Sequence, residues 1–579
     1  MKVYLSLGSN LGCRLTNLER ALNLLERGGC RVLKISRIYE TAPQYYLKQP
    51  AFFNMAAACE TSLSPEKLLA LIGSVERALK RRRLVKNGPR TLDADILFYG
   101  GQVLDRPGLV VPHPRLAERE FVLAPLAELA PALRHPVTGL TVKQMLSKLL
   151  ETGSARPLPR KYKEAETWLN ALPPPAAAAH YSLAPVKAAL AALGGPQAKM
   201  GTVVHLTGST GKTSSAYMAA AALAACGWRT GLYTSPHVVK MRERIKLDGR
   251  DITEKDFLAC FLRVESAAAG ELSFFETLTA IAFLYFSLKK TRFAVVEAGL
   301  GGGLDATNAA DGAVAGITSV SLEHVALLGP GLAEIATHKA GIVKGGAAVV
   351  TGFNIPPAAL RVIERRTAAV GARLFVPERV FPPAMATVEK KIIRAGRFQL
   401  ENALFAIKTA ALAARLAGLK LDKPKAYAAL PAAIPPGRFE VFEIEGRRVV
   451  VDGAHNPEGL AALLKEFPDE RPVCVAAFMG DKALGPLVGK LYGAASRLIL
   501  TRSHSYRSAG PADIKKLLPP EVRSMVLVMP DPLEALRRAV KIAKLGGTVL
   551  VTGSLYLAGD ILAGLKGRKP FHPREMLVK

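Results

Sequence analysis

Apolar positions along the chain fall into two kinds of run. Some are short, β-branched or alternating, and bounded by glycine; others are longer and spaced at helical period. Val3–Leu7 is strand-like and closes in the turn Gly8–Gly12, and Thr16–Glu26 sets leucines on one helical face. Arg31–Tyr39 and Phe53–Glu60 predict further strands, and Pro65 stands near the start of an amphipathic helix running through Leu79. This first stretch has its own caps and core positions, the α+β pattern of a separately folding domain.

Further on, Thr202–Thr207 is β-branched and apolar, Gly208–Thr213 is a glycine turn, and an Ala-rich helical run follows from Ser214 to Cys226. Phe274–Thr279 opens another helical run, and Arg292–Glu297 predicts a strand ending at the glycine-rich turn Glu297–Gly302. From Arg447 the strand-like runs RRVVVD, PVCVAAFM, SRLILT, SMVLVM and GTVLVTG alternate with helical runs such as Pro532–Lys544. That alternation predicts a doubly wound α/β domain. Leu149–Lys163 mixes Gly, Ser, Pro and basic residues without an apolar period and reads as a tether; Leu172–Pro175 with the following alanines is a second irregular stretch. The expected division is a first domain over 1–148, a linker over 149–163, a phosphate-loop domain over 164–432 and an α/β domain over 433–579.

Composition narrows the partners. A chain of 579 residues exceeds one core, so two to four domains are expected. The net charge of +30 first suggests nucleic acid. Residues 1–150 hold 22 Lys+Arg against 12 Asp+Glu, leaving 56 against 36 for the rest, so the excess is spread through the chain. Only Lys80–Lys86 (KRRRLVK) forms a true cluster. Spread positive charge suits anionic small molecules, and no aromatic-basic RNA motif or recognition-helix module is evident. Nucleotide and carboxylate substrates therefore rank ahead of nucleic acid. The six cysteines form no CxxC pair and no metal-type spacing, and no apolar run reaches membrane-span length. A cytoplasmic protein without a membrane partner is the expectation.

Two stretches carry chemistry. In TVVHLTGSTGKTSS, a strand runs into Gly208-Ser209-Thr210-Gly211-Lys212-Thr213 and then into a helix. Glycines let backbone N–H groups converge on an anion, the helix N-terminus adds partial positive charge, and the Lys and hydroxyl reach outer phosphates and a metal. Strict Walker spacing would place a glycine where Leu206 stands, so this is a shortened variant. The second stretch is Gly88–Ile96, where period-two alternation puts Asp93 and Asp95 on one strand face. Two such carboxylates repel unless a cation such as Mg²⁺ lies between them. Upstream KRRRLVK would meet a triphosphate; downstream, His113, Arg115, Arg119 and Phe121 add a imidazole, two guanidiniums and a ring. Each feature alone is as easily surface or core as site; together they suggest metal-assisted phosphoryl chemistry.

The stretches YLSLGSNLG (4–12), YETAP (39–43), QPAFFNMA (49–56), GPRTLDADILFYG (88–100) and VPHPRLAEREFVLAPLAE (111–128) resemble 6-hydroxymethyl-7,8-dihydropterin pyrophosphokinase, a ferredoxin-like α+β fold. The resemblance implies that Asp93 and Asp95 hold Mg²⁺ bridging ATP. It implies that Arg90, His113, Arg115 and Arg119 contact phosphates or the transferring group, with Glu76 helping to hold the nucleotide. Asn54 would read the pterin edge, with Pro43, Phe52 and Phe121 lining the ring. Asn87 stands where the family often has Trp.

HLTGSTGKTSS, YTSPHVVKMRERI, FFETLTAIAFLYF, EAGLGGGLDATN, ITSVSLEHVALLG, IATHKAGIVK, GRFQLENA (396–403), PGRFE (436–440) and VDGAHNPEG (451–459) resemble the Mur-ligase superfamily, specifically dihydrofolate synthase/folylpolyglutamate synthase. By that resemblance Gly208, Ser209, Thr210, Gly211, Lys212 and Thr213 hold ATP phosphates, and Ser235, Glu297 and His324 ligate Mg²⁺. Lys339 matches the lysine that the family can carbamylate into a metal-binding acid. Asn402 approaches the adenine, Arg438 and Asp452 hold the nucleotide across a cleft beside a Rossmann-like C-terminal domain, and His455 lies near the reacting acyl phosphate. Gly303, Glu323 and Phe398 depart from the usual Arg, Asp and His. The implied protein is a bifunctional folate-biosynthesis enzyme. It pyrophosphorylates hydroxymethyldihydropterin and joins L-glutamate to dihydropteroate or folate, each with ATP. A ligase of cell-wall precursors and a basic nucleic-acid-binding protein are the alternatives.

Overall fold

The opening apolar run folds as the strand Lys2–Ser9, which pairs antiparallel with Phe52–Thr61 on one side and Asp93–Tyr99 on the other. It lies in a computed structural model that describes residues 1–44, 46–81, 85, 87–149, 155–172, 182–268, 270–480 and 484–567. The described residues form two compact units. The first comprises Met1–Leu169, Ala184–Gly195 and Glu254–Ser273, and the second comprises the rest.

In the first unit the strand order is Asp93–Tyr99, Lys2–Ser9, Phe52–Thr61, Tyr39–Thr41, Arg156–Pro157, with Cys30–Ile35 also pairing to Phe52–Thr61. The run expected as one strand over 31–39 is thus two. Ser36 Oγ donates to Arg37 O at 2.6 Å in the break, and both pieces reach the same neighbouring strand. Ser64 caps the helix Pro65–Ala78 by accepting from the Lys67 amide, and Pro65 sits where no amide is needed. Leu116, Val122, Leu123, Leu126, Val142 and Met145 bury against Tyr4, Ala56, Ala58 and Phe98, which fixes the helix Glu120–Leu129 on the sheet. Arg156–Pro157, read as part of a tether, pairs with Tyr39 and Glu40 as an edge strand, and Tyr162–Asn170 is helical. Residues 150–154 of that stretch, Pro173–Pro175 with the alanines after them, and Arg82, Arg83, Leu84 and Lys86 of the basic cluster lie outside the described residues.

The second unit holds two sheets. The larger runs Arg250–Asp251, Ile245–Leu247, Thr230–Tyr233, Phe293–Glu297, Thr202–Thr207, Val314–Ile317, Ala348–Thr351, Arg373–Phe375. Its last six strands are parallel, and all but the edge strand Arg373–Phe375 are buried almost without interruption. The helices Lys212–Ala225 and Gln399–Leu416 pack together over it through alanines and Leu223, Leu404, Phe405 and Ile407. The smaller sheet runs Glu440–Ile444, Arg447–Val451, Thr548–Thr552, Val473–Ala476, Arg497–Leu500, Leu527–Val528, parallel except at its first pair. All six cysteines are free, and among the described residues no helix is long and apolar enough to cross a membrane.

Candidate active sites

Strand pairing builds the first site. Asp93 and Asp95 lie opposite Gly8 and Ser6 and are half-buried on one face of Asp93–Tyr99, while Ala94 between them is buried on the other. Arg81 Nη2 lies 2.8 Å from Asp93 Oδ1, and Arg90 Nη2 lies 3.2 Å from Asp93 Oδ2. Arg119 Nη1 and His113 Nε2 stand 3.8 and 3.9 Å from Asp95 Oδ2, and 3.5 Å from each other. Glu76 pairs with Arg81 and accepts from the Ala94 amide at 3.1 Å. Burial, then the neighbouring Asp93, pushes Asp95 up to about 6. Burial, then Arg119 and Arg115, pushes His113 down to about 4, so the ring is neutral at physiological pH.

The guanidiniums are not saturated by these carboxylates. Among the described residues, Nε of Arg81, Arg90 and Arg119 is buried without a hydrogen-bond partner. Three such donors beside two carboxylates match a polyphosphate carrying a hard cation. Asn54, 4% exposed, donates to Thr41 Oγ1 at 2.7 Å, and its amide oxygen faces Gly8. Phe52 lies beneath the Arg90 guanidinium at 5.3 Å, and Phe121, 5.5 Å from Arg119, also packs on the core behind it. Pro43 is half-buried in the loop after Tyr39–Thr41, and Arg115 is exposed. Asn87 has φ 58°, left-handed backbone that Asn tolerates, and its carbonyl accepts from Gln49. Arg81 was not singled out in the sequence; its only signal was membership of the basic cluster.

In the second unit, the strand Thr202–Thr207 delivers Gly208, and Gly211 caps the helix Lys212–Ala225. A Cβ on Gly208 would stand 2.0 Å from Thr318 Oγ1, and one on Gly211 would stand 2.4 Å from Asn402 Oδ1. Both glycines have positive φ, so the turn needs them on two counts. Lys212 Nζ donates to Gly208 O at 2.5 Å. Ser209 and Thr210 are braced by the strand-end residues 318–321. The Thr210 amide donates to Ser319 Oγ, Thr318 Oγ1 donates to Thr210 O, and the Ser321 amide donates to Ser209 Oγ. These braces were missed as site residues, although they stand in the segment ITSVS.

Glu297 ends its strand wholly buried, and its two oxygens accept from Thr213 Oγ1 at 2.8 Å and the Ser235 amide at 3.2 Å. Burial pushes its carboxyl up, opposed by Lys212. Lys339 Nζ lies 2.7 Å from Glu323 Oε1. His324, exposed and with φ 48°, follows Glu323 at the N-cap of Val325–Leu328. The Lys212 ammonium favours the charged form of both Glu297 and Glu323. Arg438 lines a cavity with Thr213, Tyr217, Thr234, Pro236 and His237, and it acts on both Glu297 and Asp452. Asp452 accepts from the amides of Phe439 and Ala454, and His455 Nδ1 lies 2.8 Å from Gly453 O. Asn402 donates to Gln399. Phe398 packs edge-on against Phe439. Among the described residues no three His, Cys, Asp or Glu gather as a metal cage. Glu297 and Thr213 bring a carboxylate and a hydroxyl together at the start of the helix Lys212–Ala225, oxygen donors of the kind a hard cation takes.

Residues 4–131 match the family described as 7,8-dihydro-6-hydroxymethylpterin-pyrophosphokinase (HPPK), and residues 437–555 match the Mur ligase, glutamate ligase domain. The folylpolyglutamate synthase of Lacticaseibacillus casei is 30% identical over 417 residues, 66% of this chain and 93% of that protein. A probable bifunctional folylpolyglutamate synthase/dihydropteroate synthase of Haloferax volcanii is 36% identical over 409 residues, 65% of this chain. This chain spans 47% of that longer protein. The structure of Mycobacterium tuberculosis folylpolyglutamate synthase complexed with ADP and AMPPCP superposes with a TM-score of 0.62 at 27% identity, covering 71% of this chain and 99% of that one. Fold and phosphate loop thus define a Mur-type ligase. The chain belongs to the folylpolyglutamate synthase family and carries an HPPK domain ahead of the ligase.

Proposed function

We propose that the protein is a bifunctional enzyme of folate synthesis. Its first activity transfers diphosphate from ATP to 6-hydroxymethyl-7,8-dihydropterin and releases AMP. Its second joins L-glutamate to dihydropteroate or folate and releases ADP and phosphate. The observation that carries the reading is the presence of two separately built phosphate sites: three guanidinium Nε donors without partners beside Asp93 and Asp95, and a braced phosphate loop beside buried Glu297. We assign the kinase to a ferredoxin-like domain built on 1–148, to which Arg156–Pro157, within the expected linker 149–163, adds an edge strand. The ligase occupies a phosphate-loop domain over 164–432 and a Rossmann-like domain over 433–579. The protein acts on small molecules in the cytoplasm, without nucleic acid or membrane.

In the kinase, the pterin hydroxymethyl oxygen attacks the β-phosphorus, the bond to the α-phosphate oxygen breaks, and AMP leaves. Arg81, Arg90 and Arg119 take up the charge that shifts onto the leaving group, and neutral His113 offers a hydrogen bond without adding charge. Asn54, with Phe52, Phe121 and Pro43, holds the pterin, while Glu76 and Arg115 border the nucleotide. In the ligase, the pteroate carboxylate attacks the γ-phosphorus to give an acyl phosphate and ADP; the glutamate amine then displaces phosphate. Lys212 and the amides of residues 208–213 steady the γ-phosphate, Asn402 meets the adenine, Arg438 and Asp452 close on the nucleotide, and His455 stands by the acyl phosphate. Mg²⁺, held by Asp93 and Asp95 in one site and by Glu297, Ser235 and His324 in the other, would neutralise phosphate charge. Lys339 joins the second set if carbamylated.

The matched relatives are folate proteins, which leaves the cell-wall alternative with less support. The test supplies purified protein with ATP, Mg²⁺ and the hydroxymethyl pterin, and separately with ATP, Mg²⁺, dihydropteroate and glutamate. AMP is expected in the first mixture and ADP in the second. Silence in either overturns that half.

A further inference from the structure

The helix Glu254–Ala268 lies, in sequence, among the segments that resemble the ligase, yet it belongs to the first compact unit. Its last turn meets the first turn of Arg14–Arg27. The latter helix starts without a side-chain cap of its own, because Cys13 at the N-cap position accepts from the Thr16 hydroxyl and from no helix amide. The Leu15 amide donates instead to Ser266 Oγ. The exchange is reciprocal. Arg14 Nη2 donates to Glu265 O at 2.6 Å, and Arg14 Nε donates to Ser266 O at 3.1 Å. These are carbonyls of the last helical turn, where acceptors lack intrahelical partners and partial negative charge gathers. Each helix end therefore caps the other.

The rest of the Arg14 guanidinium faces the strands that carry the pterin residues. Nη1 donates to Glu40 Oε1 at 3.0 Å and to Ala51 O at 2.8 Å, and the guanidinium carbon lies 3.6 Å from the Phe53 ring centroid. The side chain is fully buried, so these partners replace its water. Tyr39–Thr41 and Phe52–Thr61 pair as Glu40 with Phe53, Thr41 with Phe52 and Tyr39 with Asn54. Opposed residues share a face and successive residues alternate. Glu40 and Phe53 thus present one face to Arg14, while Thr41, Phe52 and Asn54 present the other.

We propose that Arg14 is a positioning residue for the pterin subsite, and that the last turn of Glu254–Ala268, through Ser266, completes the kinase from ligase-side sequence. Arg14 fixes the back of the two strands whose front reads the pterin. A shift of these strands moves Asn54 and Phe52 together and leaves Asp93, Asp95 and the phosphate loop in place. This inference rests on the kinase reading above.

The test measures AMP release from the full chain against hydroxymethyl pterin and against ATP, with ADP release by the ligase as control, for wild type, Arg14→Gln, Arg14→Lys and Ser266→Ala. Arg14→Gln is expected to raise the pterin KM about tenfold or more, with the ATP KM and ligase kcat/KM held within about twofold. Arg14→Lys recovers part of that loss, and Ser266→Ala raises the pterin KM about threefold. A pterin KM within about twofold of wild type in both Arg14→Gln and Ser266→Ala overturns the inference, as does a proportional fall in all three activities. If Arg14→Gln does not fold, Ser266→Ala, which removes a single hydroxyl, decides by the same split. Wild type that releases no AMP overturns the kinase reading instead, a result distinct from active enzyme with an unmoved KM.

Discussion

Lys339 Nζ lies 2.7 Å from Glu323 Oε1, in a pair whose side chains are 1% and 14% exposed. Burial lowers the Lys339 ammonium to about 8 although Glu323 opposes it. Burial would raise Glu323, but Lys212 and Lys339 prevail and hold it at about 2. The pair stands where the family resemblance puts an Asp and a lysine that can be carbamylated.

Removing the acid leaves the Lys339 amine buried without its counter-charge. Glu323→Gln is expected to destabilise the protein by about 3 kcal/mol at neutral pH, read by urea unfolding. The folded pKa of Glu323 lies below its ordinary 4.5, so between 4.5 and about 2 the unfolded chain binds the extra proton. The stability that Glu323 contributes is complete above pH 4.5 and is lost as pH falls toward 2. The gap between wild type and Glu323→Gln should close over that window; a constant gap would count against the pair.

Arg81 touches both Asp93 and Glu76. Arg81→Ala is expected to lower kcat/KM for AMP release about 100-fold and to leave ADP release by the ligase unchanged. An unaffected kinase would remove Arg81 from the site.

Glu297 and Asp95 lie in different units, so their losses should separate. Glu297→Gln is expected to reduce ADP release by about 100-fold while AMP release persists, and Asp95→Asn to do the reverse. Parallel loss of both products in either variant would show that the two sites do not work independently.

Gly208→Ala drives a methyl into Thr318 Oγ1 at a backbone angle that L residues rarely adopt. The expected result is a rise of about tenfold or more in the ligase KM for ATP, with the kinase KM for ATP as internal control. A normal ligase KM would mean that the loop is not the nucleotide cradle.

Local pattern carried far in this chain. Phe52–Thr61, Pro65–Ala78, Lys212–Ala225 and Phe293–Glu297 lie within a few residues of their expected runs, because each rests on short-range period, a cap or a glycine. Asp93 and Asp95 share a face because strand alternation is local. The split of 31–39 was less legible, since an apolar-polar run continues through a break that only hydrogen bonding to Phe52–Thr61 defines. Thr318, Ser319 and Ser321 were not legible as braces either; small hydroxyl residues acquire that role only when a parallel neighbour strand brings them against the phosphate loop.

The sequence by itself determined the two candidate phosphate sites, because glycine turns, paired carboxylates and a Lys at a helix start act through their immediate neighbours. Tertiary structure alone decided which charges meet. Arg14 reaches Glu40 and, across some 250 positions of sequence, the carbonyls of Glu265 and Ser266; Glu323 meets Lys339, and Arg438 shares a cavity with Thr213. Those meetings depend on where whole helices and sheets pack, and burial then sets how strongly each charge is felt.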